Sequence, residues 1–370
     1  MKILITGGAG FIGSHTARAL VERGDEVRIL DALTQPVHEP GAEPPIADTA
    51  ELIRGDVRSP DDWQRSLRGI DAVIHLGAYQ DYLTDFSKFF EVNAAGTALC
   101  YETIVAHDLP VRRVVVASSQ AVYGEGAVRC AKHGVVTPGP RSMDALAKAD
   151  WDVRCPVCGA DVESVPTPEE FANPRNSYGI SKIAAEQATL ALGETYGIES
   201  VALRYSIVHG PGQSVRNAYS GLLRSAALRM RERKAPVAFE DGKQLRDYVA
   251  IDDAVAATLL ALDHPGAPGR AYNVGGGRAW TVLEVIDHLK EIAGVDVDPE
   301  ISNAFRVGDV RHVVSDISRL QGLGWEPRAN LDDVWHRYWA WLDEIAPPAQ
   351  TVDDAYARME REGVLRRAGS

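Results

Sequence analysis

Short hydrophobic runs alternate along the first half of the chain with segments in which apolar residues recur at helical spacing. The runs are apolar at consecutive positions, which is typical of strands buried on both faces of a parallel sheet. Residues 11–23 have the spacing of an amphipathic helix, which Gly24 ends. Strands are predicted at 2–6, 26–30, 72–76, 114–117 and 201–205, and one more begins at Leu52. Strands that alternate with helices indicate an α/β fold with a doubly wound parallel sheet.

A glycine-rich loop joins the first predicted strand to the first helix, with Gly7, Gly10 and Gly13 at its turning points. Without a Cβ, the first allows a tight turn, the second lets a pyrophosphate approach the backbone, and the third lets helix and strand pack closely. Because the loop follows a strand and opens a helix, it predicts a Rossmann-type dinucleotide site. The alternative is that the glycines serve only the turn.

Acidic residues at the ends of the next two strands indicate which dinucleotide binds. Asp31 ends the second strand, where a carboxylate can bond the adenosine ribose and repels a 2′-phosphate. Asp56 and Val57 follow the third strand, and we expect them beside the adenine. The sequence therefore predicts NAD as the cofactor, in preference to NADP.

The pattern becomes less regular after residue 205, which suggests a second, smaller lobe for the substrate. We expect part of 246–262, within a predicted helix over 249–262, to pack back on the larger domain. The expected regions are an NAD-binding Rossmann domain over 1–205, a substrate-binding lobe over 206–345, and a C-terminal surface helix or tail over 346–370.

Composition narrows the range of partners. The net charge of −13 argues against general nucleic-acid binding. No apolar run approaches the ~18 residues that cross a bilayer. The apolar residues 3–5 lead into the glycine loop, so they are predicted as a strand and not as part of a signal peptide. We therefore expect a cytoplasmic protein with neither a nucleic-acid nor a membrane partner.

Tyr178 and Lys182 lie four positions apart in a predicted helix, and therefore on one face of it. An ammonium group beside a phenol favours the phenolate, so we expect the pKa of Tyr178 to lie below its usual value near ~10. A tyrosine of this kind can act as an acid and base near neutral pH.

Together these motifs resemble those of extended short-chain dehydrogenases/reductases of the nucleotide-sugar epimerase and dehydratase family. The resemblance covers about 1–341. It rests on residues 6–13, 75–78, 93, 118–124, 178–182, 203–205 and 246–249. Three segments are similar to the dTDP-L-rhamnose 4-epimerase group within this family. They are 204–208, 216–220 and the insertion with cysteines that is described below.

The resemblance implies a role for each matching residue. Ser119 would be the catalytic hydroxyl, Tyr178 the acid/base, and Lys182 the group that holds the nicotinamide ribose; for Ser119 a turn or cap hydroxyl is the alternative. A homodimer is expected through helices near 93–107 and 178–196. Further NAD contacts are implied for Phe11, Ile12, Leu76, Gly77, Ala78 and Asn93. Contacts to a nucleotide-sugar substrate are implied for Gln120, Tyr123, Arg204, Asn217 and Arg246.

Arg246 is expected at the nucleotide diphosphate, since a guanidinium group suits phosphate. An ordinary salt bridge is its alternative. Many relatives also carry Phe-Asn where this chain has Ser206 and Ile207, and we expect Asn217 to replace the missing asparagine.

The two residues after Ser119 bear on the reaction type. Family dehydratases carry Asp-Glu there, whereas this chain has Gln120 and Ala121, which transfer no proton at neutral pH. Elimination is therefore disfavoured, and 4-epimerisation through a transient ketone is expected. The alternatives are a 4-ketoreductase, a nucleotide-sugar dehydrogenase and a non-enzymatic dinucleotide sensor.

An insertion over about 125–173 contains two pairs of metal-ligating residues. Cys130 and His133 form one pair, and Cys155 and Cys158 form the other after an interval of 21 residues. This spacing predicts a structural, zinc-ribbon-like site with four protein ligands. The alternatives are a redox pair, a disulfide, which a cytoplasmic setting disfavours, and free thiols.

Overall fold

A computed structural model describes residues 1–39, 44, 46–218, 221–345, 347 and 351–369 of this chain. Its centre is a parallel sheet of seven strands. The strands are β1 (Lys2–Thr6), β2 (Glu26–Asp31), β3 (Glu51–Arg54), β4 (Ala72–His75), β5 (Arg113–Ser119), β6 (Glu199–Tyr205) and β7 (Arg270–Val274). Their order across the sheet is β7-β6-β5-β4-β1-β2-β3. The predicted doubly wound α/β fold is confirmed.

Helices cover both faces of the sheet, and the alternation of side chains along each strand divides the core between them. Ile3 and Ile5 of β1 pack on one face, whereas Leu4 packs on the other. The longer helices are α1 (Phe11–Glu22), α2 (Pro60–Ser66), α3 (Gly96–Ala106), α4 (Ser177–Tyr196), α5 (Gly221–Arg231), α6 (Ile251–Asp263), α7 (Val282–Ala293), α8 (Leu331–Ile345) and α9 (Thr351–Arg361). In the part of the chain described, no helix is long and apolar enough to cross a membrane.

The chain returns to the main sheet after residue 205 and adds a seventh strand to it. This strand was not predicted from the sequence. β7 pairs with β6 in parallel, although its residues were assigned to the smaller lobe. The helix predicted over 249–262 begins at Ile251, because Leu245–Ala250 is a strand. That strand pairs with Ile207–His209 and Ala279–Thr281. Hydrophobic continuity alone did not distinguish the strand from the helix that follows it.

The smaller lobe has its own hydrophobic core between α5, α7 and α8, centred on Trp280 and Trp335. Its edge is completed by the C-terminal segment. In that segment Leu365–Arg367 pairs antiparallel with Ala304–Arg306, and Val352 and Met359 of α9 are buried. The described part of 346–370 therefore contains a helix, as one of the two expected alternatives, and the apolar face of this helix is packed into the lobe.

The insertion forms a small antiparallel sheet and packs against the smaller lobe. Leu146 and Trp151 contact Phe305, and the buried Arg141 bridges Glu125 and Glu240. The sheet strands are Gly134–Val136, Val128–Cys130 and Glu163–Ser164, and a short helix spans Met143–Ala147.

Candidate active site

A cleft of about 770 Å³ lies at the carboxyl ends of the parallel strands and continues between the sheet and the smaller lobe. Ligand sites are expected at this edge of doubly wound sheets, because the loops after several strands converge there. The predicted residues that line the cleft are Gly7, Gly10, Phe11, Ile12, Gly13, Asp31, Asp56, Val57, Leu76, Gly77, Ala78, Ser119, Gln120, Tyr178, Lys182, Asn217 and Arg246.

The glycine loop provides a backbone surface that other residues would obstruct. Gly7 has a φ of +65°, and a Cβ there would lie 2.8 Å from the Gly77 nitrogen. A Cβ on Gly13 would lie 2.2 Å from the Gly7 carbonyl oxygen. Gly10 is the N-cap of α1, so the helix N-terminus faces this part of the cleft. This geometry fits a dinucleotide pyrophosphate.

The two predicted acidic residues at this end are held in place by backbone and side-chain donors. Asp31 accepts hydrogen bonds from the amides of Ala9, at 3.1 Å, and Leu33, at 2.9 Å. Asp56 accepts from the Arg58 guanidinium, which keeps the pKa of this carboxyl below its usual value. Both carboxylates are therefore held at the cleft edge, and their contacts with the ribose and the adenine stay predictions.

Ser119, Tyr178 and Lys182 meet where β5 ends and α4 begins. The Asn176 side chain caps α4 by accepting from the Gly179 amide at 2.8 Å. The Ser119 hydroxyl accepts from the Ala121 amide at 3.1 Å and lies beside Tyr178, where it lowers the pKa of the phenol. It therefore makes both the cap contact and the contact with the tyrosine.

The prediction that Lys182 lowers the pKa of Tyr178 is wrong for the structure described. Burial raises the pKa of Tyr178, while hydrogen bonds with Gln80 and Ser119 oppose that rise. The Lys182 ammonium donates to the Ala117 carbonyl at 2.8 Å, and burial lowers its pKa to about 8. Desolvation of the phenol therefore outweighs the hydrogen bonds that favour the phenolate, while the Lys182 ammonium bonds the Ala117 carbonyl.

Gln80 is a site residue that the sequence analysis missed. Its Nε2 donates to the Tyr178 hydroxyl oxygen at 2.6 Å. The signal available in the sequence was its position two residues after Ala78, in the loop that follows β4.

Asn93 was predicted to contact the cofactor, but its side chain is occupied by protein groups. Its Oδ1 accepts from the Tyr79 amide at 2.7 Å, and its Nδ2 donates to the Tyr79 carbonyl at 3.0 Å and to the Ser181 hydroxyl at 2.9 Å. Asn93 is also buried. We therefore correct its role: it joins the loop after β4 to α4.

Tyr123 and Arg204 are also corrected from substrate contacts to buried structural groups. Arg204 pairs with Glu186, and donates to the Glu169 carbonyl at 2.7 Å and to the Tyr123 hydroxyl at 2.9 Å. That hydroxyl donates in turn to Asn273 at 2.5 Å. A buried arginine requires such partners, and these lie inside the fold.

The other end of the cleft carries Arg246, which three backbone carbonyls orient. Its guanidinium donates to the carbonyls of Leu245, Val310 and Arg311, at distances of 2.9–3.0 Å. The Asp309 Oδ1 lies 3.7 Å from the Arg246 Nη2, beyond hydrogen-bond distance. The ordinary salt bridge that we considered for Arg246 is therefore a weak part of its surroundings.

Gln120 and Asn217 line the same cleft. The buried Gln120 Oε1 has no hydrogen-bond partner among the described residues. Tyr219 and Ser220, which follow Asn217 in the segment that resembles the rhamnose 4-epimerases, lie outside the described residues.

Several residues at this end come from sequence regions that showed no recognisable motif. The C-terminal segment contributes Tyr356, whose ring centroid lies 5.3 Å from that of Phe239. Arg224 is a cation on the buried face of α5, and this mismatch was the only signal it gave. The residues missed at this end are Tyr82, Arg224, Phe239, Arg306, Tyr356, Met359 and Val364.

The four predicted metal ligands meet in the insertion, with all their ligand atoms within 4.8 Å of one another. The sulfur atoms of Cys130 and Cys158 are 3.8 Å apart, which is too far for a disulfide. The His133 Nδ1 lies 3.5 Å from the Cys130 sulfur and 3.4 Å from the Cys155 sulfur. Metal–ligand bonds of about 2.0–2.3 Å at tetrahedral angles give separations of about 3.5–3.8 Å, so the donor set fits zinc.

Comparison with known proteins decides the family. The model of the NAD dependent epimerase/dehydratase family matches residues 3–152 and 155–275. This chain belongs to the NAD-dependent epimerase/dehydratase family. The resemblance found in the sequence motifs is thereby confirmed.

Relatives within this family cover most of the chain. It is 33% identical over 340 residues to a dTDP-L-rhamnose 4-epimerase of Burkholderia thailandensis, covering 90% of this chain and 92% of that one. It is 30% identical to a UDP-glucose 4-epimerase of Halalkalibacterium halodurans, covering 93% and 96% respectively.

Solved structures of the family superpose over the whole fold. The UDP-glucose 4-epimerase of Thermotoga maritima with UDP-glucose has a TM-score of 0.77 at 27% identity, covering 94% of this chain and all of that one. The Thermus thermophilus UDP-glucose 4-epimerase in complex with NAD has a TM-score of 0.72 at 27% identity, covering 93% and 99%.

Proposed function

We propose that this family member is an NAD-dependent nucleotide-sugar 4-epimerase that acts on dTDP- or UDP-hexoses, 6-deoxyhexoses included. The observation that carries the proposal is the meeting of Tyr178, Ser119 and Lys182 in the cleft that begins at the glycine loop. The 4-epimerase activity of the similar proteins supports the same reaction.

In this proposal the protein moves one proton at the sugar. Tyr178, once ionised to the phenolate, accepts the proton of the 4-hydroxyl, and Ser119 stabilises the developing oxyanion by donating to it. After the 4-keto sugar has turned in the cleft to present the opposite face of carbon 4, Tyr178 returns the proton to the carbonyl oxygen. Gln120 and Ala121 offer no acid or base for elimination.

NAD fits the other end of the cleft, where Gly7, Gly10 and Gly13 would face its pyrophosphate and Asp31 its adenosine ribose. When bound, NAD would accept the hydride from carbon 4 and return it. Lys182 would hold the nicotinamide ribose and place its positive charge near Tyr178.

The test is NMR of dTDP- and UDP-hexoses, 6-deoxyhexoses and hexuronic acids incubated with purified protein and no added NAD. The expected result is a C4 epimer at equilibrium for one class of these sugars. If only a 4-keto sugar with supplied NADH is converted, the protein is a ketoreductase. No conversion of any of them, even with added NAD, would overturn the enzymatic proposal.

We further propose that Cys130, His133, Cys155 and Cys158 bind a structural zinc ion. The support is their mutual distance and donor chemistry. We expect about one equivalent of zinc in protein purified without added metal, loss of it in Cys155→Ser, and its retention in the neighbouring control Lys132→Ala. Less than half an equivalent in a folded wild-type protein would overturn the proposal.

We also propose a cytoplasmic homodimer that pairs through α3 and α4. The support is the exposed apolar side chains of these helices, which are Val105 of α3 and Ile180 and Tyr196 of α4. Sedimentation at micromolar concentration is expected to give a dimer, and Val105→Glu a monomer. Ile301→Glu is the matched control, because Ile301 is an apolar side chain of similar exposure that lies on the smaller lobe. A wild-type monomer would overturn the dimer.

A further inference from the structure

Arg224 of α5 is a buried arginine that lines the cleft but has little bonding within the protein. Its side chain is 1% exposed. Its Nε donates to the Val215 carbonyl at 2.6 Å, whereas its buried Nη2 has no partner among the described residues.

Other buried arginines in the molecule are paired with carboxylates. Arg204 pairs with Glu186, Arg141 with Glu125 and Glu240, and Arg311 with Glu240. The side chains that raise the pKa of Arg224 are the phenols of Tyr82, Tyr338 and Tyr356, and they do not offset the lowering of its pKa by burial. Among the residues described, no carboxylate forms an ion pair with Arg224.

An uncompensated buried cation destabilises a folded protein, and an arginine does not escape that cost by losing its proton. A protein can retain one at little net cost if an anion enters the site. The position of Arg224 on the cleft wall is where a ligand would reach it.

Charge at this end of the cleft indicates which anion fits. Arg246 and Arg306 line the cleft with Arg224, and Asp309 is the carboxylate that lies beside the first two. Burial raises the pKa of Asp309, but Arg306 and Arg246 lower it to about 2, so this carboxyl is ionised at neutral pH. Three guanidinium groups beside one carboxylate favour an anionic ligand, such as the diphosphate of a nucleotide.

We propose that Arg224 binds the diphosphate of the nucleotide sugar, as a ligand additional to the predicted Arg246. This inference rests on the proposed function, because it takes a nucleoside diphosphate as part of the substrate. It also explains why the apolar face of α5 carries a cation: the side chain faces the cleft at the point where Tyr82 and Tyr356 approach it.

The test uses calorimetry on the purified holoprotein with UDP, dTDP, uridine and thymidine. Arg224→Met is expected to weaken UDP or dTDP binding on the order of 10- to 100-fold and to leave nucleoside binding unchanged. Arg224→Lys is expected to recover part of the loss. Arg231→Met, on the same helix but paired with Asp343, is the matched control.

The thermal midpoint of the unliganded protein gives an independent readout. Removing an unpaired buried cation is expected to raise it, by about 2 °C or more, whereas removing a structural ion-pair partner would lower it. Unchanged diphosphate affinity, or an equal loss for nucleoside and diphosphate, would overturn the proposal. Because binding is measured without turnover, a loss confined to diphosphates supports Arg224 even if no sugar is epimerised.

Discussion

The two ends of the cleft are built in different ways. The dinucleotide end is made mainly of backbone, from the glycine loop and the loops after β2, β3 and β4. The substrate end is made of side chains that come from distant parts of the chain, among them Tyr82, Arg224, Arg306 and Tyr356. A site formed by a short backbone motif is visible in the sequence, whereas one formed by scattered side chains becomes visible only when the chain is folded.

The ends also differ in how their buried polar groups are satisfied. Near the glycine loop, the hydroxyl of Thr6 is bonded to His75 and accepts from the Gly77 amide. Toward the substrate end, Gln120 Oε1 and Arg224 Nη2 are buried without partners among the described residues. The dinucleotide end is therefore a preformed support, while the substrate end contains groups whose bonding a ligand would complete.

The largest effect is expected from Tyr178→Phe, which removes the proton-transfer group where the two ends meet. Turnover should fall about 10³-fold or more, with the bound NAD retained. NMR rates and the NAD content of the purified variant measure both. Tyr101→Phe, which removes a buried hydroxyl bonded to Ser200, is the control and should retain its rate. Substantial turnover by Tyr178→Phe would remove this tyrosine from the chemistry.

Lys182→Met tests how the dinucleotide end tolerates a buried cation. The pKa of Lys182 is about 8, against 10.5 for the ordinary side chain. Below about pH 8 both folded and unfolded chains hold the proton, so the burial cost is present in full. Between the two values only the unfolded chain holds it, so the stability of wild type recovers with rising pH.

In NAD-depleted protein, Lys182→Met should therefore be more stable than wild type at pH 7. The lowering of the Lys182 pKa corresponds to about 3 kcal/mol of lost stability in the wild type. The variant should recover this amount, less about 1 kcal/mol for the lost hydrogen bond to the Ala117 carbonyl. The difference should shrink as the pH rises toward 10. Urea unfolding at several pH values measures it, and a variant less stable than wild type at pH 7 would show that the ammonium stabilises the fold.

Gly13→Ala tests whether the dinucleotide end depends on the closeness of its backbone. The added methyl group would collide with the Gly7 carbonyl, which should cost about 1–3 kcal/mol of stability and most of the retained NAD. Gly139→Ala is the control, since a Cβ there meets no atom within 4 Å. Absorbance of released NAD and thermal unfolding are the measurements, and normal NAD content would contradict the proposed cradle.

Gln80→Leu is expected to give the smallest effect, because it alters the tyrosine only through one hydrogen bond. Without the donated bond the pKa of Tyr178 should rise, so turnover at neutral pH should fall about 10-fold. The lower limb of the pH–rate profile should move to higher pH, and part of the rate should return there. A uniform loss across all pH values would indicate a structural role for Gln80.

The order of residues along the chain was enough to predict six strands of the sheet, the glycine loop, the family and the position of Tyr178 and Lys182 within one turn of a helix. Each depends on local order along the chain: hydrophobic period, a strand–loop–helix motif, or a short spacing on one helix. The Cys/His insertion was likewise evident from spacing, and the structure brings all four side chains together.

The remaining features of the fold and the site depend on burial and on contacts between residues that are distant in the sequence, so only the folded chain shows them. In the folded chain, β7 pairs with β6 in the main sheet, and the side chains of Asn93, Tyr123 and Arg204 are hydrogen-bonded to other protein groups. The pKa of Tyr178 is raised there, whereas the sequence predicted that it is lowered. These outcomes are set by desolvation and by which groups meet across the fold. Neither has a period or spacing along the chain, and so the unpaired cation of Arg224 became visible only in the folded protein.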